Sequence, residues 1–105
     1  MQQLRLHLWI TGRVQGVWFR QSTKQQADSL GVNGWVRNLD DGRVEVLLQG
    51  EANAVRQLET WLSIGPELAN VADVEVEVEV ETEAGTEAGT EALEGATPME
   101  GFEVR

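Results

Sequence analysis

The segment that decides the fold reads Asp73-Val74-Glu75-Val76-Glu77-Val78-Glu79-Val80-Glu81. Valine takes every even position and an acidic residue takes every odd one, which is the period-2 pattern of a β-strand. We therefore predict a strand over residues 74–80. We expect its acidic side chains to face water, because a buried carboxylate without a partner is very costly.

The same alternation marks further strands on both sides of this segment. Residues 4–10 place apolar side chains at every even position, which predicts a first, half-buried strand. Two β-rich runs, residues 32–39 and 43–49, flank Asp40-Asp41-Gly42. An Asp-Gly pair suits the positive φ of a tight hairpin, so these runs are expected to pair directly. Residues 102–105 alternate in the same way and predict a short last strand.

Two segments have the apolar spacing of helices. The first places its apolar-facing residues four, four and three apart before Gly31: Phe19, Thr23, Ala27 and Leu30. The second is followed by Gly65-Pro66 and places these residues on one face: Val55, Leu58, Trp61 and Leu62. The predicted order is β-α-β-β-α-β with a short C-terminal strand. This order predicts an α+β, ferredoxin-like sandwich with a mainly antiparallel sheet and two helices on one face.

Length and composition limit the class of protein. A chain of 105 residues is expected to form one domain over residues 1–105. It contains no cysteine, which excludes disulfides, thiolate nucleophiles and thiolate metal sites. Its start lacks the apolar core of a signal peptide, and no apolar run reaches membrane-spanning length. We expect a cytoplasmic monomer that does not bind membranes.

The charge is unevenly distributed along the chain. The net charge is -10, yet residues 1–50 carry six Arg or Lys against four acids, and therefore +2. The remaining residues then carry -12. Such an acidic protein is a poor non-specific binder of nucleic acid, whereas a small anionic substrate would be drawn to the N-terminal half.

Residues 83–97 form an acidic low-complexity segment, in which Glu-Ala-Gly-Thr at 83–86 is repeated at 87–90. As a helix it would stack like charges four residues apart and include two glycines, so we predict a solvated, mobile loop. The alternative is a calcium-binding loop. The ligand spacing of an EF-hand is absent, so no metal site is predicted.

The segment from Gly12 to Arg20 lies between the first strand and the first helix. Its glycines permit backbone N–H groups to converge, and the following helix adds its positive end, so the loop can hold a phosphate. Arg20 can bind phosphate oxygens in a bidentate manner at the same place. The alternative is a tight turn followed by a solvent-exposed arginine.

Asn38 is predicted near the end of the second strand, where asparagine is disfavoured. Its amide offers both a donor and an acceptor and can orient a water molecule. The alternative is that Asn38 only caps the hairpin.

Together these segments resemble the acylphosphatase family. The phosphate-loop signature of that family, Gly-x-Val-Gln-Gly-Val-x-Phe-Arg, is matched by residues 12–20. Its second signature, Gly-Trp-Val-x-Asn followed by Asp-Gly-x-Val-Glu, is matched by residues 34–38 and 41–45. Gly65-Pro66 and the closing residues 101–105 also look like family features. The resemblance covers nearly the whole chain; the acidic repeat departs from it, as does Leu39 relative to animal members.

The resemblance implies a function and a set of site residues. Arg20 matches the catalytic, phosphate-binding arginine, and Asn38 matches the asparagine that positions the nucleophilic water. The family's phosphate cradle is matched by five backbone amides: Gln15, Gly16, Val17, Trp18 and Phe19. The implied substrate is a small acyl phosphate, hydrolysed to a carboxylate and inorganic phosphate, and no cofactor or metal is implied.

Two other interpretations remain at this point. One is an acylphosphatase-like binding module without turnover, and the other is a ferredoxin-like RNA-binding domain. His7, the single histidine, lies on the non-core side of the first strand and is assigned a structural or surface role. The four tryptophans lie in different elements, so packing is expected for most of them.

Overall fold

The computed structural model describes residues 2–82 and 100–105. These residues form β1 (Gln3–Arg13), α1 (Phe19–Leu30), β2 (Asn33–Asn38), β3 (Val44–Glu51), α2 (Ala52–Leu62), β4 (Asn70–Thr82) and β5 (Phe102–Val104). The predicted order of elements and the short last strand are confirmed. The prediction of a solvated loop over residues 83–97 lies outside the described residues.

The five strands form one mixed sheet in the order β4-β1-β3-β2-β5. β1 pairs antiparallel with both β3 and β4, and the β2–β3 hairpin is antiparallel as predicted. β5 pairs parallel with β2. Because α1 contacts β2 and β5 while α2 contacts β1 and β3, the helices cover the middle strands and the β5 edge.

The core lies between the sheet and the two helices. The alternation in β1 gives four buried side chains, at Leu4, Leu6, Leu8 and Ile10. The helical spacing gives the opposing layer, in which these residues are buried: Phe19, Thr23, Ala27, Val55, Leu58 and Leu62. Both periodicities therefore identify the faces that meet in the core.

The valine face of β4 is less buried than its pattern suggests. Val76 and Val78 are 38% and 46% exposed, and the acidic residues on the other face are exposed as expected. β4 is an edge strand, and the contacts of both helices are with other strands. A period-2 pattern identifies the strand but does not show whether a second layer covers it.

Gly34 in β2 lies against the backbone of Leu47 in β3. Its φ is 142°, and a Cβ at this position would lie 1.8 Å from the backbone oxygen of Leu47. Only glycine fits such an approach. Within residues 2–82 and 100–105, no helix has the length and apolar character needed to cross a membrane.

Candidate active site

Residues 14–18 connect β1 to α1 in a loop that contains two left-handed residues. Gly16 has a φ of 74° and Trp18 a φ of 63°, so left-handed residues lie on both sides of Val17. Val14 and Val17 are buried and anchor the loop on the core. Alternating left-handed residues turn successive N–H groups toward one point, which is the geometry of an anion-binding nest.

The start of α1 adds further donors to this loop. Trp18 is the N-cap residue and makes no side-chain cap hydrogen bond, and the first turn contains no acidic residue. The first amides of a helix lack partners within the helix, and side-chain caps normally bind some of them. Here the positive end of α1 therefore remains available to an anion.

Arg20 lies in the first turn of α1 and is hydrogen-bonded to Arg105, the residue that follows β5. Its Nη1 donates to the backbone oxygen of Arg105 at 2.8 Å, and the N–H of Arg105 donates to the oxygen of Val36 at 2.9 Å. Lys24 Nζ also donates to the oxygen of Phe102, at 3.1 Å. A guanidinium has five N–H donors, so the bond to Arg105 leaves others for a phosphate.

Asn38 is the last residue of β2, and its side chain is exposed. The hairpin turn is closed by other groups: Leu39 N–H donates to the oxygen of Arg43 at 2.8 Å, and Gly42 N–H donates to the oxygen of Leu39 at 3.2 Å. Asp41 Oδ1 accepts from the N–H of Arg43 at 3.0 Å, and this bond lowers the pKa of Asp41 below its usual value. The turn therefore has its own hydrogen bonds without the amide of Asn38.

The side chain of Gln15 joins the loop to the hairpin. Its Nε2 donates to the backbone oxygens of Leu39 at 2.8 Å and Arg43 at 3.0 Å. This contact fixes the position of the loop relative to Asn38. From the sequence, only the backbone amide of Gln15 was expected at the site. The sequence feature that could indicate a role for its side chain is its position as the one polar residue between Val14 and Gly16-Val17.

An open cavity of about 370 Å³ brings the predicted site residues together. It is lined by Val14, Gly16, Trp18, Phe19, Arg20, Gln21, Asn38 and Val104. Gln15 and Val17 belong to the same loop but do not line the cavity. Segments separated by as much as 90 residues in the chain therefore meet at this site.

His7 lies outside this cavity, on the sheet face opposite the helices. Its Nε2 is 2.7 Å from Glu45 Oε2, its Nδ1 is 3.3 Å from Glu79 Oε2, and its ring stacks on Trp9. Burial of Glu45 by itself raises the pKa of this carboxyl. Hydrogen bonds from Arg37 and His7 more than offset that effect and leave the pKa below its usual value.

Three of the four tryptophans pack against other side chains. Trp61 lies against Phe19, with ring centroids 6.0 Å apart, and Trp9 stacks on His7. The guanidinium of Arg105 lies 4.9 Å from the ring centroid of Trp35. Trp18 is different, because it is 73% exposed at the mouth of the cavity.

The fold and the cavity define a ferredoxin-like α+β protein in which a loop of converging amides, an arginine and an asparagine meet beside one helix N-terminus. The family model for acylphosphatase matches residues 6–89 of the chain. An acylphosphatase of Nitrosococcus oceani is 69% identical over 68 residues, covering 65% of this chain and 76% of the relative.

The similarity extends to the full length and to the three-dimensional structure. An acylphosphatase of Haloarcula marismortui is 51% identical over 105 residues, covering 100% of this chain and 99% of the relative. The crystal structure of the acylphosphatase from Bacillus subtilis has a TM-score of 0.78 at 30% identity, covering 97% of this chain and 98% of that one. The chain belongs to the acylphosphatase family and is a hydrolase of that family.

Proposed function

We propose that the chain hydrolyses the carboxyl–phosphate bond of small acyl phosphates. Arg20 and the backbone amides of residues 15–19 hold the phosphate, and Asn38 positions the attacking water. One observation carries this proposal: a single cavity is lined by Arg20, by Asn38 and by the loop at the start of α1.

The reaction needs few catalytic groups. The water oxygen forms a bond to phosphorus, and the bond between phosphorus and the acyl oxygen breaks. The leaving group departs as a carboxylate, the conjugate base of an acid with a pKa of about 4, so no strong general acid is required. The water protons pass to the product phosphate and to solvent.

Arg20 and the loop amides act on the charge of the phosphoryl group. Catalysis of phosphoryl transfer consists mainly of positioning and of stabilising charge on the equatorial oxygens. The guanidinium, oriented by its bond to Arg105, can bind two of these oxygens. The amides of the loop and of the first turn of α1 can donate to the same phosphate.

Asn38 acts on the water. Its side-chain oxygen can accept a hydrogen bond from the water. Such a contact would hold the water in line with the leaving group. The proposed reaction uses no metal, cofactor or partner chain, and we propose a cytoplasmic monomer that binds neither nucleic acid nor membranes.

The proposal is tested by hydrolysis of benzoyl phosphate in excess EDTA. We expect turnover by the wild type, and loss of both substrate affinity and turnover in Arg20→Ala. Asn38→Ala should lose mainly kcat, by about 100-fold or more, while inorganic phosphate still inhibits. Arg56→Ala and Asn53→Ala are matched controls, because both residues are exposed on α2.

Each contrary outcome has a defined meaning. A folded wild type without turnover would make the chain a non-catalytic binding module. Normal turnover in Arg20→Ala would remove Arg20 from the mechanism, and loss of activity in EDTA would contradict a metal-independent reaction. If Asn38→Ala lost phosphate affinity instead of kcat, Asn38 would belong to the phosphate cradle.

A further inference from the structure

Trp18 has a backbone conformation that is unfavourable for a bulky residue. Its φ of 63° is the only positive φ of a non-glycine residue among residues 2–82 and 100–105. L-residues with large side chains rarely adopt this region, because Cβ approaches the backbone oxygen. Glycine would fit the same position without that strain.

Burial of the side chain does not offset this strain. Trp18 is 73% exposed, and no other large hydrophobic residue in the described part of the chain is more exposed. A tryptophan contributes to folding mainly by removing its large apolar surface from water. The stabilisation that the indole of Trp18 gives to folding is therefore too small to offset the unfavourable backbone conformation. Such outliers cluster at active sites. The nest accounts for the left-handed backbone of Trp18, whereas its exposed indole is left without a folding role.

The indole lies beside the place proposed for the substrate. Trp18 lines the same cavity as Arg20 and Asn38, and the remaining wall includes the apolar residues Val14 and Val104. The cavity measures about 370 Å³, whereas a liquid water occupies about 30 Å³. The cavity thus has room for more than a phosphate group. With the phosphate on Arg20, the rest of this space is available to the acyl group.

We propose that Trp18 is a specificity-determining residue, whose indole contacts the acyl group and favours aromatic over small aliphatic acyl phosphates. The inference rests on the proposed function, because that function places an acyl group in the cavity. A phenyl ring presents a flat apolar surface to the indole, and aromatic pairs gain stability in offset-stacked or edge-to-face arrangements. The methyl group of acetyl phosphate offers much less contact area.

The test compares kcat/KM for benzoyl phosphate and acetyl phosphate. We expect the wild type to prefer benzoyl phosphate, and Trp18→Gly to reduce that ratio about tenfold, which corresponds to about 1.4 kcal/mol. Trp18→Phe should retain most of the ratio, because phenylalanine also presents an aromatic ring. Val78→Ala is the control, since Val78 is also exposed and apolar but pairs with Leu6 in the middle of β1. An unchanged ratio in Trp18→Gly would overturn the proposal.

Melting temperatures separate this role from a structural one. Trp18→Gly removes an exposed side chain and a strained φ, so its Tm should equal or exceed that of the wild type. A fall in Tm of more than about 8 °C would make Trp18 a folding residue and overturn the proposal.

A binding experiment separates this inference from the proposed function. Calorimetry would compare phenacylphosphonate with acetonylphosphonate, two analogues whose phosphorus–carbon bond cannot be hydrolysed in this way. If the wild type turns over neither substrate, the proposed function fails. Tighter binding of phenacylphosphonate that is lost in Trp18→Gly would still support the contact with Trp18, and equal binding of both analogues would overturn it.

Discussion

Replacing Gln15 with leucine tests whether the loop and the hairpin act as one rigid unit. Gln15→Leu keeps the backbone amide and replaces the carboxamide with a shorter apolar group, which removes both hydrogen bonds from Nε2 to the backbone oxygens of Leu39 and Arg43. The two acceptor oxygens keep one partner each in the turn, because Gly42 N–H binds the oxygen of Leu39 and Leu39 N–H binds that of Arg43. Both carbonyl oxygens therefore still accept a hydrogen bond after the substitution.

The expected magnitudes follow from these two bonds. Each bond contributes a net amount of about 0.5–1.5 kcal/mol, so the free energy of unfolding should fall by about 1–3 kcal/mol in total. Each kcal/mol of lost stability lowers Tm by about 4–8 °C in a domain near this size. The effect on catalysis should be larger, since displacing a positioned group by about 1 Å can cost about 100-fold in rate. We expect kcat to fall about 10- to 100-fold because Asn38 is no longer fixed relative to the loop.

Urea unfolding and steady-state kinetics with benzoyl phosphate measure both effects. The inhibition constant of inorganic phosphate should change less than about threefold, because the loop amides and Arg20 remain. Gln57→Leu, on the exposed side of α2, is the matched control and should change neither the free energy of unfolding nor kcat. A Gln15→Leu variant that is less stable but has the kcat of the wild type would refute the positioning role and leave Gln15 with a folding role alone.

Two further predictions concern stability. Gly34→Ala should lower the free energy of unfolding, measured in urea, by more than about 3 kcal/mol, because the new Cβ would overlap the backbone oxygen of Leu47. Gly42 has a φ of 95°, but a Cβ there would have no atom within 4 Å, so Gly42→Ala should lower the free energy of unfolding by only about 1–2 kcal/mol. Equal losses in the two variants would contradict the steric argument. Glu45 has a lowered pKa in the folded chain, so its contribution to stability is complete above the unfolded value near 4.5 and is lost as pH falls through the folded pKa. The stability difference between the wild type and Glu45→Gln should therefore shrink between about pH 6 and pH 3, and a pH-independent difference would refute this linkage.

The sequence predicts the helices and strands well because each has a clear apolar period. The alternation in β1 and the four-four-three spacing in α1 correspond directly to buried faces. The exposure of Val76 and Val78 was not predicted, since it depends on which strand lies at the edge. Strand order is a property of the whole sheet, and local patterns do not contain it.

The candidate site shows the same division between local and long-range information. The glycine pattern of the loop and the position of Arg20 are local, so the sequence indicates them. The hydrogen bond from Arg20 to the oxygen of Arg105 joins residues 85 positions apart and uses a backbone atom that every residue has. The contacts of Gln15 with Leu39 and Arg43 likewise involve backbone oxygens. No residue type marks such acceptors, so only the structure reveals them.

These backbone contacts bear on how the proposed site, which has few polar side chains, would position its groups. An arginine side chain carries about 2 kcal/mol of rotamer entropy, and a substrate that had to order it would bind more weakly by a similar amount. In the folded chain, the bond to Arg105 restricts the guanidinium of Arg20. The bonds of Gln15 do the same for the hairpin that ends β2 at Asn38. In the proposed reaction the leaving group needs no strong acid, so the rate depends on how well the donors and the water are positioned, and we expect the contacts that position them to affect the rate.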